Sequence, residues 1–219
     1  MEVLMKLKFF IVYFVLLMCA RSFPQTASKE KSKIVSKRQI SRFFIDEANT
    51  VVTLRLSHNL IGRFDTPGKS GLSGFIDLVD GKKLFTTKLE FRPETFDSLI
   101  GLRDDHIKNE YLEIAKFPIV SLEKALTTLQ KFSKEMPQES LLASLVVKNH
   151  SEKVEGTSQI YLENEVLRGR AEISSKISLF PIKKPNYKGV GVRDEFSVVV
   201  DLVAKPDLGE NDLIVPDID

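Results

Sequence analysis

The sequence predicts an all-β protein, an antiparallel sheet that closes on itself as a barrel and carries one short inserted helix. Three observations lead there. Segment after segment alternates apolar and polar residues with a period of two. Gly, Pro, Asn and Asp punctuate those segments at short intervals. One run alone, from Arg103 to Pro118, breaks the alternation with helical spacing.

The elements follow in order. From Thr50 to Ser57, Val52, Leu54 and Leu56 share one face and Thr53, Arg55 and Ser57 the other, the mark of a half-buried strand. Asp65 to Gly71 reads as a turn, because Pro67, Gly68, Ser70 and Gly71 crowd together there. Gly74 to Leu78 is the next strand, and Asp80-Gly81 marks a tight reversal. Phe85, Thr87, Leu89 and Phe91 then alternate with Thr86, Lys88 and Glu90. In RDDHIKNEYLEIAKFP, Asp104 and Asp105 suit a first helical turn, while Ile107, Tyr111 and Ile114 fall on one face. Pro118 forces residue 117 out of helical geometry and ends the helix. Strands follow at Ile119 to Leu126, at Leu141 to Lys148 beyond a polar connection containing Pro137, at Ser158 to Leu162 and at Leu167 to Ser178. Phe196, Val198, Val200, Leu202 and Ala204 form one face of the last strand.

Seven or eight strands joined by short turns favour closure. An open sheet of that length leaves two unpaired edges that invite aggregation, and a barrel removes both. At about eight strands the interior either fills with side chains or holds one small or elongated ligand. The fifteen Phe, four Tyr and absent Trp fit either use, a packed core or an apolar pocket.

The ends carry different information. Residues 1–22 have a polar start with Lys6 and Lys8, an apolar block from Phe9 to Ala20, and small residues at Ala20 and Ser22, the outline of a secretory signal peptide. The block is short of the roughly 20 residues of a bilayer span. Cleavage after Ser22 removes Cys19, the single cysteine, so the exported chain forms no disulfide and relies on its core. Lipidation of Cys19 is the competing reading, disfavoured by the large Met18 where a small residue is expected. The organisation expected is a signal peptide at 1–22, a basic linker at 23–42, the barrel at 43–205 and an acidic tail at 206–219. Formal charge is +2 for the whole chain, and Lys6, Lys8 and Arg21 against Glu2 place that excess in the first 22 residues. A nearly neutral remainder argues against nucleic-acid binding, which needs a sustained basic surface. The cations from Lys29 to Arg42 read as a solvated linker, with transient contact to a membrane surface as the alternative.

A set of short pieces recurs in order along the domain. They are Phe44-Ile45-Asp46, His58, Gly62-Arg63-Phe64, Gly74-Phe75-Ile76-Asp77, Thr95-Phe96-Asp97-Ser98, Arg103-Asp104-Asp105-His106, Ala115-Lys116-Phe117-Pro118 and Val192-Arg193-Asp194-Glu195-Phe196. In this the chain resembles the YceI-like family of polyisoprenoid-binding, lipocalin-like proteins. It departs at Asn49, where relatives often have histidine, and at Val147 to Ser151, which lacks a glycine often found there. The resemblance implies an extended, eight-stranded lipocalin-like barrel whose interior takes the isoprenoid tail of a quinone or polyprenyl lipid. It implies no catalytic centre and no required cofactor, an exported and periplasmic protein, and leaves a homodimer open. Alternation nominates the wall as Val52, Leu54, Leu56, Phe85, Leu89, Phe91, Phe196, Val198, Val200 and Leu202, and the same residues would form one face of a packed barrel serving as a scaffold or partner-binding module.

Chemical constellations are few. His58, His106 and His150 are the only histidines, and no paired-histidine metal spacing appears. Arg103 and His106 have two readings besides a catalytic one that lacks a partnered nucleophile: capping with an Arg103 or Lys108 ion pair to Asp104 or Asp105, or hydrogen bonding to a ligand oxygen at the pocket mouth. Gly62, Gly71, Gly74 and Gly81 fit no phosphate loop and are read as turn glycines.

Overall fold

The computed structural model describes residues 39–207 apart from 60–61, 134 and 188–189. The signal peptide, Cys19, the basic linker up to residue 38 and the tail beyond Asp207 lie outside the described residues. The described residues form eleven strands: β1 (Ile40–Ile45), β2 (Val51–His58), β3 (Gly62–Lys69), β4 (Leu72–Val79), β5 (Lys83–Phe91), β6 (Val120–Thr128), β7 (Glu139–Val147), β8 (His150–Glu163), β9 (Val166–Lys176), β10 (Asn186–Tyr187) and β11 (Val190–Pro206). Between β5 and β6 stands the helical insertion, with α1 (Gly101–Asp105) running directly into a π-helical turn at His106–Tyr111.

All pairings between the strands are antiparallel, and the sheet closes. β1 pairs with β4 on one side and with β11 on the other, so β1-β4-β5-β6-β7-β8-β9-β11 form an eight-stranded ring. β2 continues the line of β1 along the same edge of β11: Ile45 lies opposite Ala204, and Val51 opposite Asp201. β3 continues into β4 in the same way, pairing with β2 while β4 pairs with β1. The β2–β3 hairpin therefore extends one side of the barrel upward. Above the end of β5 only an isolated bridge, Gly68 to Phe96, meets β3's far edge. The insertion occupies that side.

The turns explain themselves through backbone conformation. Lys148 and Asn149 both have positive φ (51° and 62°) between the paired residues Val147 and His150, a two-residue reversal that matches the strand twist. Asn149 tolerates that conformation, so no glycine is needed. Asn164 and Glu165 repeat it between β8 and β9. At the β1–β2 junction, Asn49 donates to the Asp46 carboxylate at 2.9 Å, and Lys205 holds the same carboxylate at 2.8 Å. Asn49, where relatives often carry histidine, thus fastens a corner of the wall.

Three expectations change. The stretch from Asp65 to Gly71 is mostly strand: β3 runs through Pro67 and Gly68 to Lys69. Pro67 survives there because β3 is an edge, where no ladder bond from its nitrogen is required. Gly68 is demanded by packing, since a Cβ would lie 2.7 Å from the Phe91 ring. Gly74 is likewise no turn residue. It sits inside β4 at φ +127°, where the register with β5 shifts. The third change concerns β5. Leu84 and Thr86 are buried, then Leu89 and Phe91, so the buried parity reverses within the strand. Lys124 on β6, with φ +51°, marks the matching irregularity against β7. Phe85 consequently leaves the inner set, and it lies opposite Asp77 in the register. Asp77 accepts two hydrogen bonds from Arg42, at 2.8 and 3.0 Å, and the Arg42 guanidinium lies 3.8 Å from the Phe75 ring centroid. β1 therefore begins inside the stretch read as linker, and Arg42 is structural.

The interior is divided. At the end where both described termini lie, Leu78, Leu84, Ile160, Leu167, Leu202 and Ala204 pack into a continuous buried cluster. Toward the insertion the interior is hollow.

Candidate functional site

Residues from β2, β4, β5, β6, β7, β9 and β11 enclose the hollow, and none from β1, β3 or β8 does. Val52, Leu54 and Leu56 come from β2, Leu89 and Phe91 from β5, Leu141, Leu145 and Val147 from β7, Ala171 and Ile173 from β9, and Phe196, Val198 and Val200 from β11. Ile107, Tyr111 and Leu112 of the insertion close it from above. Its volume is about 150 Å³, and only the Tyr111 and Ser121 side chains bring polar groups to it. The Ser121 hydroxyl hydrogen-bonds to Glu123 at 3.2 Å. Burial, reinforced by Glu110, raises the Tyr111 phenol above its ordinary value, so it stays protonated.

Eight of the ten wall residues expected from alternation line this cavity. Phe85 does not, because of the β5 parity reversal. Leu202 does not either: it faces inward but lies deeper, in the packed cluster. Alternation specifies a face and says nothing about height along the strand.

A second space of about 200 Å³ opens above the first. The two share Leu56, Ile107, Tyr111 and Pro185, which form a neck between an inner chamber and a mouth. Arg103 and His106 both line the mouth, together with His58, Phe64, Ile100, Leu102 and Val192. Phe64 organises the polar groups. The Arg103 guanidinium lies 4.5 Å from its ring centroid, and the His58 ring centroid lies 4.8 Å from it. His106 meets Tyr111 edge-on at 6.4 Å.

The local sequence builds this mouth. Thr95 caps its own turn by bonding the Arg92 carbonyl at 2.9 Å. The Asp97 carboxylate accepts the Leu99 N–H at 2.9 Å, and Leu99 takes φ +62°. Asp104 accepts the Ser98 N–H at 3.0 Å, and Asp105 accepts from the Asn109 side chain at 2.6 Å. The expected ion pair of Arg103 or Lys108 with Asp104 or Asp105 is not formed: the carboxylates bind amide groups, and Arg103 turns to Phe64. The π-helical turn, with Leu112 N–H bonding the Ile107 carbonyl at 3.0 Å, carries Ile107 and Tyr111 on the face toward the neck. Across the barrel, Asp194 takes the Ser178 N–H at 3.0 Å and its hydroxyl at 2.6 Å, fixing the short turn that brings Ile177 to the cavity.

His58 and Phe64 escaped the sequence reading of the site. The signal was present, since His58 continues the inward series of Val52, Leu54 and Leu56, and Phe64 pairs with Leu56. Residues on β7 and β9 escaped too, because their apolar alternation identifies strands without ranking them as wall. No three His, Cys, Asp or Glu side chains cluster as metal ligands among the described residues.

The fold has solved counterparts. A polyisoprenoid-binding domain from Saccharophagus degradans, implicated in plant cell wall breakdown, superposes with a TM-score of 0.56 at 10% identity, covering 77% of this chain and 100% of that one. The chain shares its fold. BcnA of Burkholderia cenocepacia matches at a TM-score of 0.54 and 13% identity, over 74% of this chain and 99% of that one. With both, the likeness is one of fold, spanning most of the barrel. No protein-family model and no curated protein matches the sequence.

Proposed function

We propose that the protein is an exported, periplasmic lipid-binding protein that holds an isoprenoid chain, free or as a quinone tail, in the chamber beneath the insertion. The observation that carries this is the chamber itself, walled by aliphatic and aromatic side chains with Tyr111 and Ser121 as the only polar contributors. Each CH₂ moved there from water contributes about 0.8 kcal/mol, so a short apolar stretch suffices for binding without directed contacts. Support also comes from the fold shared with a domain described as polyisoprenoid binding. The reading needs no cofactor and no turnover, and it assigns transport, storage or protection of the lipid.

Access is provided at the mouth. Leu99 is 90% exposed, and Ile100 and Leu102 beside it are 48% and 58% exposed, a cluster of apolar side chains at the entrance. Under this reading they touch a bilayer transiently while the lipid transfers.

Titration of the purified chain with a ubiquinone of short tail, followed by quenching of tyrosine fluorescence, tests the proposal. Leu54→Glu places a charge in the chamber and is expected to reduce uptake at least tenfold, whereas Phe85→Glu, on the outer face, retains it. Undiminished uptake by folded Leu54→Glu protein would place the lipid elsewhere.

A further inference from the structure

We propose that the mouth favours the anionic head of a single-chain amphiphile, a carboxylate or a phosphate monoester, over a neutral head. This rests on the lipid-binding reading of the chamber and adds the chemistry of the ligand's polar end. Among the residues lining the mouth the only fixed charge is Arg103, and no carboxylate faces it from β2, the β3 strand, the insertion or β11. Arg103 has no ion pair among the described residues: Asp104 is bound to the Ser98 amide, and the guanidinium is held instead over Phe64 at 4.5 Å. Stacking leaves the planar fork of N–H donors available for a two-oxygen acceptor. Also against Phe64, His58 Nδ1 is buried and has no hydrogen-bond partner among the described residues. A buried polar atom left unpaired costs free energy, and a ligand oxygen beside Phe64 would relieve it. Tyr111, kept protonated by burial at the neck, supplies a further donor.

The volumes set the tail. A dry apolar cavity of about 150 Å³ holds one benzene, so chamber and mouth, about 150 and 200 Å³, together hold roughly 14 non-hydrogen atoms on that scale. A ten-carbon tail with a carboxylate or phosphate head fits that count.

The test uses the purified full-length chain, the neutral fluorophore 1-aminoanthracene as bound reporter, and carbon-matched competitors: geranyl phosphate against geraniol, and decanoate against decanol. Each anion is expected to displace the reporter at a concentration at least about tenfold lower than its alcohol, the size of one charge-assisted contact. Arg103→Gln is expected to bring that ratio close to one, and Phe64→Leu, which removes the ring beneath the guanidinium, to lower it. Circular dichroism confirms that each variant is folded. A ratio near one in the unaltered protein, or a ratio unchanged in folded Arg103→Gln, overturns the anionic head while the lipid chamber stands. Competition by inorganic phosphate alone as strong as by geranyl phosphate also overturns it, since the site would then serve free phosphate. A protein that takes up neither the reporter nor any competitor refutes the chamber reading itself.

Discussion

Single side chains decide what the barrel's two faces do. Arg42 and Asp77 form a bidentate pair on the outer face, with Asp77 only 5% exposed, so removing the arginine strands a buried carboxylate. Arg42→Ala is expected to lower stability by about 2–3 kcal/mol, at or just below the lower limit for broken buried pairs because Arg42 itself is partly exposed. Urea unfolding would show this as a fall in midpoint at unchanged slope, and replacing both residues by apolar ones would recover most of it. A loss below about 0.5 kcal/mol in Arg42→Ala would mean the pair is solvated. Wall residues were legible from sequence where alternation ran undisturbed, as from Val52 to Leu56. Phe85 was misplaced because a bulge leaves no mark in an alternating sequence, and Leu202 because periodicity cannot tell the packed end from the hollow one. His58, Phe64 and Arg103 come together only through strand pairing, although His58 stands in the inward series.

At the scale of elements, the insertion is the informative part. Its C-terminal end is tied down by Glu113, which pairs with Lys148 of the β7–β8 turn and with Lys116 at 3.0 Å. The hydrogen bond from Lys148, then that from Lys116, holds the Glu113 carboxyl below its ordinary value of 4.5. A carboxylate whose pKa is lowered on folding stabilises the native state above its unfolded value. That contribution is lost as pH falls through the lowered folded value. Amide exchange in residues 101–116, corrected for the intrinsic rate, should therefore quicken as the pH falls below that ordinary value, and Lys148→Met should quicken it already at neutral pH. Equal protection in the variant and the parent at neutral pH would show that the tie is idle. The helical character of this run was readable from its spacing, but its end was not: the helix stops at Tyr111, short of Pro118, and Ile114 lies in the turn that follows. The π-helical turn was not readable either, since the same residues would also fit a regular helix. β3 was missed for a related reason: Pro67 and Gly68 signal a turn in isolation, and only an unpaired edge and the Phe91 ring explain them in a strand.

The described residues form a barrel packed at one end and hollow at the other, with the helical insertion over the hollow. Closure and strand number were foreseeable, because edges are costly and the strands many. Whether the interior held side chains or space was not, since inward apolar residues serve both. The structure does both, and the function proposed depends on the hollow half. The most direct measurement of that claim is native mass spectrometry, with lipid extraction, of the protein purified from its own host. The account predicts one bound prenyl or other single-chain lipid per chain, lost in Leu54→Glu. A homogeneous ligand-free protein that also takes up no lipid or quinone on titration would contradict it.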